Sequence, residues 1–136
     1  MNEFVEDLKS KVFCRIAPSP IHGVGVFAIR SIPKGINPMQ ENRTFEFQQV
    51  PVKEVMDDPD LPASVKKLVV DMNPENDGYF DCPPFSLNEI GVSYYLNHSK
   101  TPNMGEDGDG NFITLRDIAE GEELTVDYST YGELNL

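Results

Sequence analysis

Pro38, Pro51, Pro59, Pro62, Pro74, Pro83 and Pro84 interrupt the middle of this chain, from about Ile36 to Asn88. Each proline removes a backbone donor, fixes φ and pushes the residue before it away from helical backbone. No long helix or central strand can cross such a stretch, so this region must be built from short pieces. One helix survives. From Ala63 the apolar positions Val65, Leu68, Val69 and Met72 follow the spacing of an amphipathic helix, with Lys66, Lys67 and Asp71 left for solvent. Gly78 to Cys82 reads as a short strand, and Ser86-Leu87-Asn88-Glu89 has the form of a capping box opening a short helix toward Leu96, weakened by Gly91.

Outside the middle, Phe4, Val5 and Leu8 make one short helical face, and Val12 to Ile16 alternate toward Pro18 and Pro20 as a first strand. His22-Gly23-Val24-Gly25-Val26-Phe27-Ala28-Ile29 reads as a tight bend leading into a strand, with backbone that a ligand can approach closely. Ser31 to Gly35 ends it in a turn. Phe112 to Leu115 is a further strand. Asp107-Gly108-Asp109-Gly110-Asn111 begins like a calcium loop, but the sixth position is Phe112 and the twelfth Ile118, so it reads as a hairpin turn. Many short strands, little helix and frequent turns predict a mainly β fold with small helical insertions.

At 136 residues the chain fits one domain, and any cofactor must sit in that same fold. Eleven Lys and Arg against 23 Asp and Glu give a net charge of −12, without a basic block, which argues against direct nucleic-acid contact and suits a basic protein segment. Cys14 and Cys82 form no Cys-x-x-Cys pair, so neither a disulfide framework nor a cysteine zinc site is expected, and no metal is assigned. The acidic N-terminus lacks the features of a signal peptide, and no apolar run approaches the ~20 residues that cross a bilayer. The expectation is a soluble, intracellular, cytoplasmic protein with no membrane partner.

Two blocks do not look like core sequence. Asn97-His98-Ser99-Lys100-Thr101-Pro102-Asn103 is a dense polar run that should form an ordered loop satisfying its backbone through side chains. Gly121-Glu122-Glu123 then turns into a strand with Leu124, Val126 and Tyr128 on one face and Thr125 and Asp127 on the other, placing a phenol at the strand end. Taken with the Gly23-Val24-Gly25 bend, and in this order and spacing, these blocks resemble the three signature blocks of SET-domain protein lysine methyltransferases. The match covers roughly Pro18 to Gly35 and Gly91 to Tyr131, and the style is that of a small stand-alone bacterial or viral member.

The resemblance implies a SET fold of small curved, β-clip-like sheets with short helices and a C-terminal pseudoknot. It implies a single domain over 1–136, with core segments 12–35 and 91–131 and a variable insert at about 36–90. It implies transfer of a methyl group from S-adenosylmethionine to the side-chain amine of a protein lysine. Gly23, Val24 and Gly25 match positions whose backbone lies against the cofactor, Asn97 and His98 match the pair that holds it, and Tyr94 stands beside them. Tyr128 matches the active-site tyrosine, while Tyr131 and Tyr95 are placed in the lysine channel. The partner is then a protein with an accessible lysine in a basic segment.

Departures from the pattern are specific. Tyr94-Tyr95 stands where an Arg-Phe pair is common, Lys100 where a cysteine is common, and Ile36 to Gln40 where a tyrosine-bearing strand is expected. No cysteine cluster follows Tyr128, so the expectation is either a shallower site or a channel closed by 131–136, by the N-terminal segment, or by a second copy in a homodimer. These gaps leave a rival reading, a catalytically inactive SET-like module that binds a protein partner. A transferase for small amines fits less well, because nothing indicates a closed small-molecule pocket.

Overall fold

The computed structural model describes residues 2–40 and 45–130. The chain divides into two compact units, Met1–Asn42 with Gly91–Asp127, and Arg43–Ile90 with Tyr128–Leu136.

The first unit opens with helix α1 (Glu3–Ser10). The Asn2 carboxamide accepts from the amides of Phe4 and Val5 at its N-terminus, and the Arg30 guanidinium closes its C-terminal end on the carbonyls of Leu8 and Lys9. Strands β1 (Cys14–Pro18) and β2 (Val24–Ala28) pair antiparallel in the register Pro18↔Val24. The expected first strand therefore starts two residues later than the alternation of Val12 suggested.

The second unit places strand β3 (Gln48–Pro51), helix α2 (Val52–Met56), helix α3 (Ala63–Met72), and strands β4 (Glu75–Asn76) and β5 (Tyr79–Cys82) in one segment. The sheet order is β3-β5-β4, all antiparallel, with Phe80 of β5 fully buried. Pro51 and Pro62 sit at the N-caps of α2 and α3, so two of the interrupting prolines punctuate helices and do not break them. Phe45 stacks edge-on against Phe47 and Phe85. The helix expected from Ser86 is instead two 3-10 turns, Leu87–Glu89 and Val92–Tyr95, separated at Gly91, and Ser86 Oγ caps the first by accepting from Asn88 N.

Back in the first unit, strands β6 (Asn97–His98), β7 (Met104–Glu106), β8 (Phe112–Thr114) and β9 (Glu123–Val126) follow. The main sheet runs β1-β2-β9-β6; β2 and β9 are antiparallel, whereas β6 lies parallel to β9 in the register Asn97↔Thr125 and His98↔Val126. The polar block at Asn97 thus contributes an edge strand before it becomes a loop. The β7–β8 hairpin turns through Asp107, where the amides of Asn111 and Asp109 hold its carboxyl below the usual carboxylate range.

Strand β9 departs from the expected alternation: Leu124, Thr125 and Val126 are all buried, because both of its faces are covered. It ends at Val126, and Tyr128 opens a 3-10 turn, Tyr128–Thr130, where a strand end was expected. Val26, Ala28, Ile32, Leu96, Met104, Ile118, Leu124 and Val126 form the core of this unit, and Ile32 and Ile118 exchange both backbone hydrogen bonds at 2.8 Å. Each large aliphatic side chain fully withdrawn in this way contributes about 1.5–3 kcal/mol. Both cysteines are free, and burial pushes the Cys14 thiol up to about 11, which makes it a poor nucleophile near neutral pH.

Candidate active site

The bend between β1 and β2 is closed by Ser19 N donating to Gly23 O at 2.9 Å. Gly23 turns at φ +48°, in the left-handed region, and nothing lies within 4 Å of where a Cβ would stand. His22, Gly23 and Val24 are exposed on the surface of this bend.

Asn97 reaches the bend from β6. Its Nδ2 lies 3.1 Å from Ser19 Oγ, His22 O and Val24 O, and 2.9 Å from Glu123 Oε2. Two amide protons shared among four acceptors hold the bend from beneath, and Asn97 is buried while doing so. The Ser19 hydroxyl donates to the Glu123 carboxylate at 2.7 and 2.9 Å and accepts from Ile21 N at 3.0 Å. With the Asn97 contact, its one proton and both lone pairs are used.

Asn103 ties the same block to β9. Its Nδ2 donates to Glu123 O at 2.9 Å and its Oδ1 accepts from Thr125 N at 2.8 Å. A carboxamide can imitate a peptide group in this way, so Asn103 supplies the pairing that a neighbouring strand would otherwise give β9. Ser99 N continues the parallel ladder to Val126 O at 2.9 Å.

His98 is half-buried, with Nδ1 3.8 Å from Asp127 Oδ1, a charge contact only when the imidazole is protonated and too long for a hydrogen bond. Tyr94 and Tyr95 lie in the 3-10 turn Val92–Tyr95, which packs against β2, and both are half-buried. Tyr128 follows Asp127 in the chain but belongs to the second unit. Tyr131 lies outside the described residues. Gly23, Val24, Gly25, Asn97, His98, Tyr94 and Tyr95 therefore all fall in the first unit, and the amide of Asn97 is the point where the glycine bend and the polar block meet.

Three participants were not singled out by sequence: Ser19, Glu123 and Asn103. Ser19 reads as an ordinary turn residue between prolines, and nothing local pairs it with a glutamate 104 positions away. Asn103, two residues after Lys100-Thr101 and behind Pro102, carried the stronger signal, since such an asparagine in an ordered loop is a natural backbone mimic.

An open groove of about 630 Å³ in the second unit, lined by Pro51, Lys53, Glu54, Asp57, Asp58 and Asp60 among others, holds none of the motif residues. Among the described residues no group of three or more His, Cys, Asp or Glu is placed to hold a metal, and no helix is long and apolar enough to cross a membrane.

Among solved structures the chain is similar to a humanized mutant of the Chaetomium thermophilum Polycomb Repressive Complex 2 bound to the inhibitor GSK126, at 16% identity and a TM-score of 0.54 over 92% of this chain. It is also similar to the apo form of that complex carrying substitutions in Ezh2, at 17% identity and a TM-score of 0.56 over 91%. In both, the chain spans only 16% of the matched chain's length. A Plasmodium falciparum protein described as a candidate histone methyltransferase matches at 21% identity and a TM-score of 0.46, over 87% of this chain and 94% of that one. No protein of curated function matches. The SET-domain profile matches residues 23–129, from the glycine bend through Tyr128, and the chain belongs to the SET-domain family.

Proposed function

We propose that this chain is a protein-lysine N-methyltransferase that uses S-adenosylmethionine. The observation that carries the reading is the Asn97 carboxamide bound to the carbonyls of His22 and Val24. Two motif blocks more than seventy residues apart meet there on a rigid, buried polar contact. Such a contact holds an exposed backbone ledge in one conformation, as a ligand site requires.

The residues fit S-adenosylmethionine. The ledge at Gly23 is unobstructed, with nothing within 4 Å of the missing Cβ, and exposed residues flank it on both sides. Gly23 and Val24 would support the cofactor by backbone, with Gly25 beneath, and Asn97 and His98 would hold it from β6, with Tyr94 alongside. When bound, S-adenosylmethionine supplies a methyl group carried on a sulfonium.

The lysine amine has a reference pKa near ~10.4 and must be neutral to react, so its site has to disfavour the ammonium. Tyr95 would line a narrow channel in this reading, where desolvation favours the neutral amine. The Tyr128 hydroxyl orients the amine by hydrogen bonding. The net charge of −12 suits a substrate lysine set among other basic residues.

The test is calorimetry with S-adenosylmethionine and with its demethylated product, followed by transfer of labelled methyl groups to lysine-bearing peptides. Heat for both compounds and label on lysine are expected. Absence of heat for either compound would sink the enzyme reading in favour of a non-catalytic protein-binding module.

A further inference from the structure

Gly25 is buried, and a Cβ at this position would run into the Glu123 carboxylate, with Glu123 Cδ at 2.9 Å and Asn97 Nδ2 at 3.0 Å. Its backbone is ordinary strand, paired with Ala17, so no unusual φ asks for glycine here. The side chain that the motif leaves out at Gly25 is left out for an acid of this same chain.

That acid accepts hydrogen bonds from Ser19 Oγ and from Asn97 Nδ2, the two side chains that grip the bend. A carboxylate can only accept, so it demands the same end of the Asn97 amide that the carbonyls of His22 and Val24 demand. Turned round, Asn97 would set its Oδ1 against Glu123 Oε2 and the carbonyls of His22 and Val24, four oxygens without a proton between them. Glu123 therefore reinforces the amide orientation that binds both carbonyls of the ledge, with the shortest of the Asn97 contacts at 2.9 Å, and it anchors the Ser19 hydroxyl at the entrance of the same turn.

We propose that Glu123 is a positioning residue of the cofactor site, acting through Asn97 and Ser19, and that Gly25 is the clearance its carboxylate needs. The role rests on the reading that Asn97 and the Gly23–Gly25 ledge hold S-adenosylmethionine. The pairing of glycine with carboxylate rests on geometry alone.

The experiment compares wild type, Gly25→Ala, Glu123→Ala and the double variant, each measured for thermal midpoint without ligand and for S-adenosylmethionine affinity by calorimetry. Glu123→Ala should weaken the cofactor about tenfold or more, the usual consequence of losing charge-assisted hydrogen bonds that fix a binding group. Gly25→Ala alone should lower the midpoint and weaken binding. Added to Glu123→Ala, it should change affinity by less than about twofold and cost the midpoint much less than in wild type, with only the Asn97 contact left to adjust, because close pairs couple.

Glu123→Gln adds a readout that a purely structural acid would not move. Its Oε1 can accept from both Ser19 and Asn97, so it should recover most of the affinity lost in Glu123→Ala, with the remaining deficit in KM for the cofactor and not in kcat. An equal cost of Gly25→Ala in both backgrounds would overturn the clearance role. Wild-type affinity in Glu123→Ala would overturn the positioning role. If wild type binds no S-adenosylmethionine, the functional reading fails and takes the positioning role with it, while the thermal midpoints still decide whether Gly25 and Glu123 are coupled.

Discussion

Asn103 is the residue on which the joint between the polar block and β9 depends. It is 5% exposed and satisfies a backbone acceptor at Glu123 and a backbone donor at Thr125, both inside the sheet. Asn103→Ala removes two hydrogen bonds and strands a buried amide at Thr125 and a part-buried carbonyl at Glu123, so it should destabilise by about 2–4 kcal/mol. Urea unfolding with an unchanged slope and a lower midpoint checks this; a shift below about 0.5 kcal/mol would mean that water replaces the amide without penalty. Tyr128 carries a different kind of prediction, about function and not folding. If its hydroxyl orients the amine, Tyr128→Phe should cut kcat by about a hundredfold while S-adenosylmethionine affinity changes less than about threefold. Equal losses in both would make Tyr128 part of the cofactor site and remove its assigned role.

Among the elements, the β4–β5 hairpin shows what a sequence reading can pass over. Asn76 pairs with Tyr79 across Asp77 and Gly78, both with positive φ, at 52° and 83°. Two left-handed residues between paired strands make a type I′ turn, for which Asp-Gly is among the preferred sequences. Gly78→Ala should therefore cost about 1 kcal/mol or more through backbone strain, with no clash to add, because nothing lies within 4 Å of its missing Cβ. Asp77→Asn should stay within about 0.5 kcal/mol, since asparagine tolerates the same backbone. Denaturation midpoints of the two variants decide it, and a costlier Asp77→Asn would mean that the aspartate side chain, not the turn, matters. Amphipathic spacing made α3 legible, and its start coincides with Ala63 as read. Strand β3 was not legible, because Gln48 and Gln49 are exposed and give no apolar alternation. Strand β9 was misread in register of burial because Thr125 is buried by its contact with Asn103, a partner that local periodicity cannot reveal. In the candidate site, Asn97 could be found because its block is distinctive, whereas Ser19 and Glu123 look like solvated turn residues until the fold brings them together.

For the whole molecule, the charge balance is a physical property that the local chemistry does not fix. Eleven basic residues against 23 acidic ones leave a net charge of −12, and a field of that sign attracts a lysine carried in a basic segment before any specific contact forms. Attraction of this kind acts on encounter and is screened over ~10 Å at 0.1 M salt and ~3 Å at 1 M, while a residue already seated in a narrow channel is screened far less. The two contributions therefore separate in a salt titration. With a lysine peptide flanked by arginines, the transfer rate at subsaturating peptide should fall about fivefold or more between roughly 0.05 and 0.5 M salt, while kcat changes less than about twofold. A peptide with the same lysine and neutral flanks should show a much flatter profile. If both peptides respond alike, the acidity serves solubility and substrate choice lies in the shape of the channel. If the basic peptide loses kcat along with kcat/KM, salt is acting on the chemical step and long-range attraction is not the explanation.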